Sequence, residues 1–445
     1  MKRSVTHELL AWKNSKKRLP LILKGARQVG KTHFVHQFGH EHFTRVHEFN
    51  FETQQSLHQI FAGDLDLERI VTELSFHLKT VIEKDDLIFF DEIQDCPAAL
   101  TCLKYFAEKA PQQPVIAAGS LLGLTLSESS FPVGKVSYLW LGPLTFEEFL
   151  DWCGDDHGLA ALQNVKATRK ISSVEHAHLW EQLKLYYVTG GLPRAVLTLA
   201  ENRSQPLAKT IYKIREVQEG LVRDYQSDFS KHTEKADAMH IRAVFNNIPY
   251  QLSVRDFDNS QRYKFSKVIP GRHTGYAQLQ NPIEWLERAG LAYRIKIVND
   301  ANHPLSAYTQ DNLFKLFLFD VGIFGALAQT PPERLIADDY GTAKGYFAES
   351  VALHGLVQND LHLPYTWSEG DAEVEFLIVK EGEIIPVEVK SSHNTRAKSL
   401  TSYIKRYQPK AAVKFYSGMP GFNPKQKLHT LPLYLAWNLR EMELL

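Results

Sequence analysis

Twelve consecutive residues, Leu21-Ile22-Leu23-Lys24-Gly25-Ala26-Arg27-Gln28-Val29-Gly30-Lys31-Thr32, constrain this chain more than any other stretch. An apolar strand runs into the pattern G-x-x-x-x-G-K-T and then into an amphipathic segment, the strand, loop and helix order of a phosphate-binding loop. In such a loop the backbone N–H groups of Gly25, Ala26, Arg27, Gln28, Val29 and Gly30 turn inward around a polyphosphate. The two glycines supply conformations and close approaches that a Cβ would obstruct. Lys31 is expected to meet the β- and γ-phosphates and Thr32 to give its hydroxyl to Mg2+, with the amide dipoles of the following helix adding positive potential. A glycine turn with a chance lysine is the plain alternative, and a second motif argues against it.

That second motif is Leu87-Ile88-Phe89-Phe90-Asp91-Glu92. Four continuous apolar residues suit a strand covered on both faces. Asp91 at its C-terminal edge is expected to hold the Mg2+ shell, and Glu92, one residue further out, to polarise an attacking water as the base of ATP hydrolysis. A third buried strand, Val115-Ile116-Ala117-Ala118, ends in Gly119-Ser120. Ser120 there either senses the γ-phosphate or simply closes a turn. Further on, Tyr187-Val188-Thr189-Gly190-Gly191-Leu192-Pro193-Arg194 places a glycine pair and proline before a cation, which also reads as one helix stopping and another starting.

Taken in order, GARQVGKT, FFDEIQ, AAGS, GPLTFEEF and GGLPR resemble the bacterial and archaeal AAA+ ATPases that carry a C-terminal domain of unknown function, and the resemblance covers nearly the whole chain. It implies ATP and Mg2+ as cofactors, an αβα P-loop core, and a small helical lid with Gly190 to Pro193 where the lid meets nucleotide. Many relatives place an arginine after glycine just before the P-L-[ST]-F-x-E-F motif. Here the segment reads Phe131-Pro132-Val133-Gly134-Lys135-Val136, and lysine lacks the planar fork that arginine offers to phosphate. The arginine-finger position is therefore open between Arg194 and Arg223, as is a homo-oligomer with a composite site between subunits.

The remaining chain narrows the class. Its 445 residues, 44% of them apolar, suggest two to four domains with filled cores, and 51 Lys plus Arg balance 51 Asp plus Glu. A neutral chain has no global field to draw it onto nucleic acid or anionic lipid, so any such contact is local. Cys96, Cys102 and Cys153 lack metal-ligand spacing, which fits a reducing cytoplasm. The basic segment from Met1 to Lys17 reads as a lead-in helix rather than an export signal. The most apolar later stretch, Leu313 to Ala328, contains Lys315 and Asp320, too polar and short for a membrane span, and reads as a core helix. We expect an α/β protein: an AAA+ P-loop core over 1–150, a helical lid over 151–225, a winged-helix-like module over 226–330 and a C-terminal α/β domain over 331–445. The middle module rests on helical readings of Ala236 to Ile248 and Asn281 to Ala289 beside a half-buried strand, Leu291 to Val298.

The C-terminal part holds a second constellation. Glu349 lies in the helical-looking segment from Lys344 to Leu353, Glu373 and Glu375 share one face of the strand Ala372 to Val379, and Glu388 and Lys390 share a face of Ile384 to Lys390. A tight polar turn, Lys380 to Glu383, would close these strands into a hairpin that brings Glu375, Glu388 and Lys390 together. Carboxylates with one lysine can bind Mg2+ and activate water while the ammonium stabilises a phosphodiester transition state. This resembles the PD-(D/E)XK nuclease core, with Glu349 matching the helical acid, Glu375 the central acid, and Glu388 with Lys390 the E-x-K element. Relatives usually carry aspartate where this chain has Glu375, and a catalytic constellation tolerates only about 0.5 Å of misplacement. A solvated edge-strand face is the competing explanation. Residues 389–440 carry nine Lys or Arg before Arg440 and no Asp or Glu, a local surface able to attract DNA. The leading expectation is an Mg-dependent ATPase that drives or gates a nucleic-acid-associated C-terminal domain. The alternatives are an ATP-regulated metal-dependent DNA nuclease and a nucleotide-switched binding module with little turnover.

Overall fold

The computed structural model describes residues 3–119, 134–231, 233, 235–253, 262–269, 271, 274–339, 341–358, 362–391 and 397–445. The chain is of the mixed α/β class and divides into two compact units, one formed by Lys2–Gly142 with Arg288–Gly290 and the other by Pro143–Glu287 with Leu291–Leu445.

The first unit is built on five strands, β1 (Leu21–Lys24), β2 (Val46–Asn50), β3 (Leu87–Asp91), β4 (Val115–Ala118) and β5 (Ser137–Trp140), in the spatial order β2-β3-β4-β1-β5. Every neighbouring pair is parallel, and the helices Lys31–His42, Leu67–Leu78 and Pro97–Lys109 make the crossovers from β1 to β2, from β2 to β3 and from β3 to β4. The unbroken apolar run before Asp91 is explained by burial: all five residues of β3 are enclosed. Phe90 lies 5.7 to 6.1 Å, ring centre to ring centre, from Phe49, Phe51, Phe61 and Phe106, so aromatic packing joins β3 to β2, to the segment that follows β2 and to helix Pro97–Lys109. The parallel order sets the C-terminal ends of β1 and β3 at one edge of the sheet, with β4 between them. The thiols of Cys96 and Cys102 are buried in this unit and unpaired with each other, as Cys153 is in the second.

The second unit begins with helices whose starts are chemically marked. Thr145 with Glu148 and Ser172 with Glu175 form reciprocal capping boxes ahead of Phe146–Trp152 and Ser173–Thr189. Its eight-stranded sheet comprises β6 (Ala292–Val298), β7 (Thr309–Leu318), β8 (Tyr365–Glu369), β9 (Ala372–Lys380), β10 (Glu383–Val389), β11 (Ala412–Tyr416), β12 (Gly421–Asn423) and β13 (Leu428–Pro432), ordered β12-β13-β11-β10-β9-β8-β6-β7. The β9–β10 hairpin expected from period-two patterning is present. Glu381 and Gly382, with φ of 51° and 78°, make the two-residue turn whose twist suits adjoining antiparallel strands. Helix Lys344–Val357 is buried from Tyr346 through Val357. Gly355 allows that depth, since a Cβ there would sit 2.6 Å from the Ala436 carbonyl carbon.

Leu313 to Ala328 is not one helix. Its first half completes β7, the chain turns at Phe319 and Asp320, and a short helix, Val321–Leu327, follows. The end of β7 is buried on both faces, so its side chains lose the alternation that would have marked a strand. Asp320 stops the strand and caps the helix, accepting a hydrogen bond from the Ile323 N–H at 2.9 Å. The β6–β7 hairpin is also joined to the C-terminal strands, because β6 runs parallel to β8 with Ile297 opposite Thr366.

Candidate nucleotide site and a buried carboxylate cluster

The loop after β1 holds backbone shapes that its sequence demanded. Gly25 has φ of +155°, and a Cβ on it would lie 2.1 Å from the Leu141 carbonyl oxygen. Gly30 is left-handed at φ 91° and caps helix Lys31–His42, while Gln28 is held left-handed at φ 69° without a glycine's freedom. Such alternation turns successive N–H groups into a concave anion nest. Lys31 is buried and donates to the carbonyls of Gly25 at 3.0 Å and Ala26 at 2.9 Å, so its ammonium folds back along the loop. Burial lowers the Lys31 ammonium to about 8, against the opposing pull of Glu92 and Asp91.

Thr32 Oγ1 donates to Asp91 Oδ2 at 2.9 Å, joining the first residues of the helix to the end of β3. Asn50 Nδ2, opposite Asp91 in the β2–β3 register, reaches the same oxygen at 3.4 Å, and the Glu92 N–H donates to Asp91 Oδ1 at 3.1 Å. Burial, reinforced by the Glu92 charge, lifts the Asp91 carboxyl to about 6, although the Thr32 hydrogen bond works the other way. Glu92 leaves the strand in a left-handed conformation, φ 48°, and its Oε2 accepts from Gln94 Nε2 at 2.8 Å. The pair of hard oxygens on Thr32 and Asp91 suits a magnesium shell, and the cradle that a Cβ at Gly25 would fill suits a phosphate. Arg3, far away in sequence, pins this loop: its guanidinium donates to Val29 O at 3.3 Å and Gly142 O at 2.6 Å.

In the second unit the structure brings Glu375, Glu388 and Lys390 together, as the hairpin geometry required. Lys390 Nζ lies 2.6 Å from Glu388 Oε1 and 3.4 Å from Glu375 Oε1, and the Val389 N–H donates to Glu375 Oε2 at 3.2 Å. Glu349 joins through a residue that sequence reading did not assign. Lys315, 1% exposed, lies 2.6 Å from Glu373 Oε1 and 3.9 Å from Glu349 Oε2. Burial raises the carboxyls of Glu349 and Glu388 well above the usual carboxylate range. Burial also opposes both ammonium charges, but the surrounding carboxylates more than offset it, so Lys315 and Lys390 are raised. Among the described residues, no group of three or more His, Cys, Asp or Glu side chains is placed to hold a metal ion. Two lysines thus supply the counter-charge to four acids.

Three family models match successive parts of the chain: the AAA domain over residues 17–150, the Domain of unknown function (DUF8612) over 180–334 and the Domain of unknown function (DUF4143) over 344–435. Residues 17–150 form an AAA domain. Among solved structures the chain is similar to the Walker-type ATPase PABY2304 of Pyrococcus abyssi, at 15% identity over 73% of this chain and 95% of that one, with a TM-score of 0.47. ORC1 of Aeropyrum pernix, solved in complex with DNA, gives 13% identity over 74% and 91% with a TM-score of 0.31. RuvB of Thermotoga maritima, a Holliday junction branch migration motor, gives 17% over 66% and 90%, also with a TM-score of 0.31. No curated protein matches the chain.

Other expected residues of the AAA domain fall out differently. Ser120 lies outside the described residues, as do Phe131 to Val133. Lys135, standing where many relatives have arginine, is 3.1 Å from Glu108 Oε1 within the same unit. Arg194 and Arg223 are exposed in the second unit. The glycine pair before Arg194 is fixed by a carboxylate from a segment 129 residues away, with no local pattern to announce it. Gly191 N–H donates to Asp320 Oδ2 at 2.7 Å, and a Cβ on Gly190 would sit 2.3 Å from Asp320 Oδ1. Many basic residues of the C-terminal stretch are likewise engaged with acids from neighbouring elements, Arg406 with Glu369 and Lys410 with Glu383 at 2.7 Å. Lys398, Lys405, Lys425 and Lys427 remain exposed, and Arg396 is outside the described residues. No helix among the described residues is long and apolar enough to cross a membrane.

Proposed function

We propose that the AAA domain binds ATP with Mg2+ and hydrolyses it, and that turnover drives or gates a nucleic-acid-associated C-terminal part. The observation that carries the reading is the 2.9 Å contact between Thr32 and Asp91 beside the buried Lys31, which sets a cation and a two-oxygen metal seat around one concave loop. Gly25 to Gly30 would receive the polyphosphate through backbone N–H groups, and Lys31 would exchange its loop carbonyls for phosphate oxygens. Mg2+, when bound, supplies charge neutralisation on the β- and γ-phosphates, and Thr32 and Asp91 are the residues to hold it. Glu92, oriented by Gln94, serves as the base that accepts a proton from water. Support for a nucleic-acid partner comes from the exposed lysines at 398, 405, 425 and 427.

Hydrolysis assays on purified wild type and Glu92→Gln test this directly. Glu92→Gln is expected to keep ATP binding and to lose about a hundredfold or more in rate; full turnover by it removes Glu92 from the role of base.

A metal-dependent nuclease has one observation in its favour: Glu349 Oε2 and Glu388 Oε2 are buried and without a hydrogen-bond partner among the described residues. Against it, the ammonium of Lys315 lies 3.9 Å from the Glu349 carboxylate, where charge would otherwise favour a cation from solution. Incubating wild type and Lys390→Ala with Mn2+ and several forms of DNA decides between them. Cutting by wild type alone favours the nuclease, whereas equal results from both remove it.

A further inference from the structure

Three residues of the first unit come from far along the chain. Arg288–Gly290 belongs to that unit, while the chain immediately before and after, Glu287 and Leu291, belongs to the second. Helix Tyr276–Arg288 ends in this turn, and β6 begins two residues after Gly290. The flanks of the turn are tied down. Leu291 N–H donates to Leu286 O at 2.9 Å, Phe319 N–H donates to Leu291 O at 3.2 Å, and Ala289 and Leu291 are buried. A three-residue link with its neighbours so ordered has little conformational freedom left to lose.

Gly290 sets this turn against the glycine loop. Its φ of +73° is left-handed, a conformation that disfavours a side chain. An added Cβ would also lie 2.9 Å from Trp140 Cη2, 3.2 Å from Trp140 Cζ2 and 3.3 Å from the backbone nitrogen of Ala26. Trp140 stands opposite Lys24, the residue before the loop, in the β1–β5 register. The Ala26 nitrogen shares a peptide unit with the Gly25 carbonyl, whose oxygen accepts from Lys31 Nζ at 3.0 Å. A peptide unit is a planar, rigid body, so what moves its oxygen also moves its nitrogen. Lys31 therefore holds one end of that plane, and Gly290 sits beside the other.

We infer that the Arg288–Gly290 turn is a positioning element of the nucleotide site, a role that rests on the glycine loop being an ATP site. Seated against the Gly25–Ala26 peptide and Trp140, it fixes the start of the phosphate loop. It moves with that peptide when Lys31 exchanges the Gly25 carbonyl for a phosphate oxygen. Small displacements of such supports are costly, since about 1 Å of misplacement transmitted from outside a site can remove about a hundredfold in rate.

The test is calorimetric titration of ATP with Mg2+ into the full chain. Gly290→Ala is expected to bind about tenfold more weakly than wild type. Gly63→Ala is the control: it puts the same side chain at another left-handed position of the first unit, φ +92°, with nothing within 4 Å of the new Cβ, and should bind as wild type does. Trp140→Phe removes the ring atoms nearest the added methyl, so combining it with Gly290→Ala should recover most of the lost affinity. Tryptophan emission supplies a readout that needs no change at Gly290. ATP should alter the emission of wild type, and the difference between wild type and Trp140→Phe isolates Trp140 from the other tryptophans; this comparison decides alone should Gly290→Ala not fold. The proposal is overturned if Gly290→Ala binds like wild type, if Gly63→Ala weakens binding equally, if Trp140→Phe restores nothing, or if the emission of Trp140 ignores bound ATP. Absence of ATP heat from wild type removes the ATP site itself, and with it the role of the turn.

Discussion

Replacing Asp91 by asparagine should make the ligand-free AAA domain more stable and its magnesium complex weaker. Burial holds the Asp91 carboxyl at about 6 against an ordinary 3.8, a gap worth about 3 kcal/mol at 1.36 kcal/mol per pH unit. Because the folded value is the higher one, its favourable contribution is full below the unfolded value and is lost as pH rises through about 6. Above that, the ionised side chain is a burden on the fold. Asparagine removes the charge but weakens the hydrogen bonds from Thr32 and Glu92, a loss of about 1.5 kcal/mol. The net expectation is a gain of about 1 to 2 kcal/mol at pH 8 that disappears near pH 5, read from urea or thermal unfolding of the two proteins at both pH values. Nucleotide binding should move the opposite way. Wild type should lose about tenfold in Mg-dependent ATP affinity as Asp91 takes up a proton between pH 7 and pH 5, over and above what protonation of ATP itself removes, and Asp91→Asn, already weak, should show only the ligand's own pH dependence. A variant that is less stable at pH 8 than wild type, or that retains the wild-type magnesium and pH response, refutes the reasoning.

Three further outcomes follow from particular contacts. Gly25→Ala places a methyl group 2.1 Å from the Leu141 carbonyl, so the loop must move; nucleotide affinity should drop by at least about tenfold while the β-sheet circular dichroism is kept, and unchanged affinity would mean that the cradle is not where phosphate sits. Lys315→Met strips the counter-charge from Glu373 and Glu349 and should lower stability by about 3 to 5 kcal/mol at pH 8. The loss should be smaller at acid pH, where the Glu349 carboxyl, raised by burial, takes up a proton, and equal losses across pH would contradict a charge-based role. Asp320→Ala leaves the N–H groups of Gly191 and Ile323 without their acceptor and should lower stability by about 2 to 4 kcal/mol in chemical denaturation; a neutral effect would show that the glycine pair is held by other means.

Features encoded locally were the ones legible in sequence. The glycine loop from Gly25 to Thr32 specifies its own turn and helix start, and the hairpin around Glu381 and Gly382 is fixed by alternation plus one residue tolerant of positive φ. That is why Glu375, Glu388 and Lys390 meet as expected. Contacts made by distant segments left no such mark. Arg3 reaches the loop carbonyl of Val29 across 26 residues, and Lys315 enters the carboxylate cluster from β7, 58 residues before Glu373. Nothing in the neighbourhood of either residue signals its partner. Leu313 to Ala328 hides its strand for a related reason: burial on both faces erases the period of β7, and the helix cap at Asp320 is a single polar residue within one apolar run. Asp320 also anchors Gly191, a pairing between parts of the chain 129 residues apart.

Calorimetric titration of ATP into the full chain, with Mg2+ and with a chelator, measures directly whether the two meet at the Gly25 to Thr32 loop and Asp91. Magnesium-dependent heat from wild type that is lost in Lys31→Ala is the expected result. Absence of heat from well-folded wild type under both conditions, or equal heat from Lys31→Ala, contradicts it.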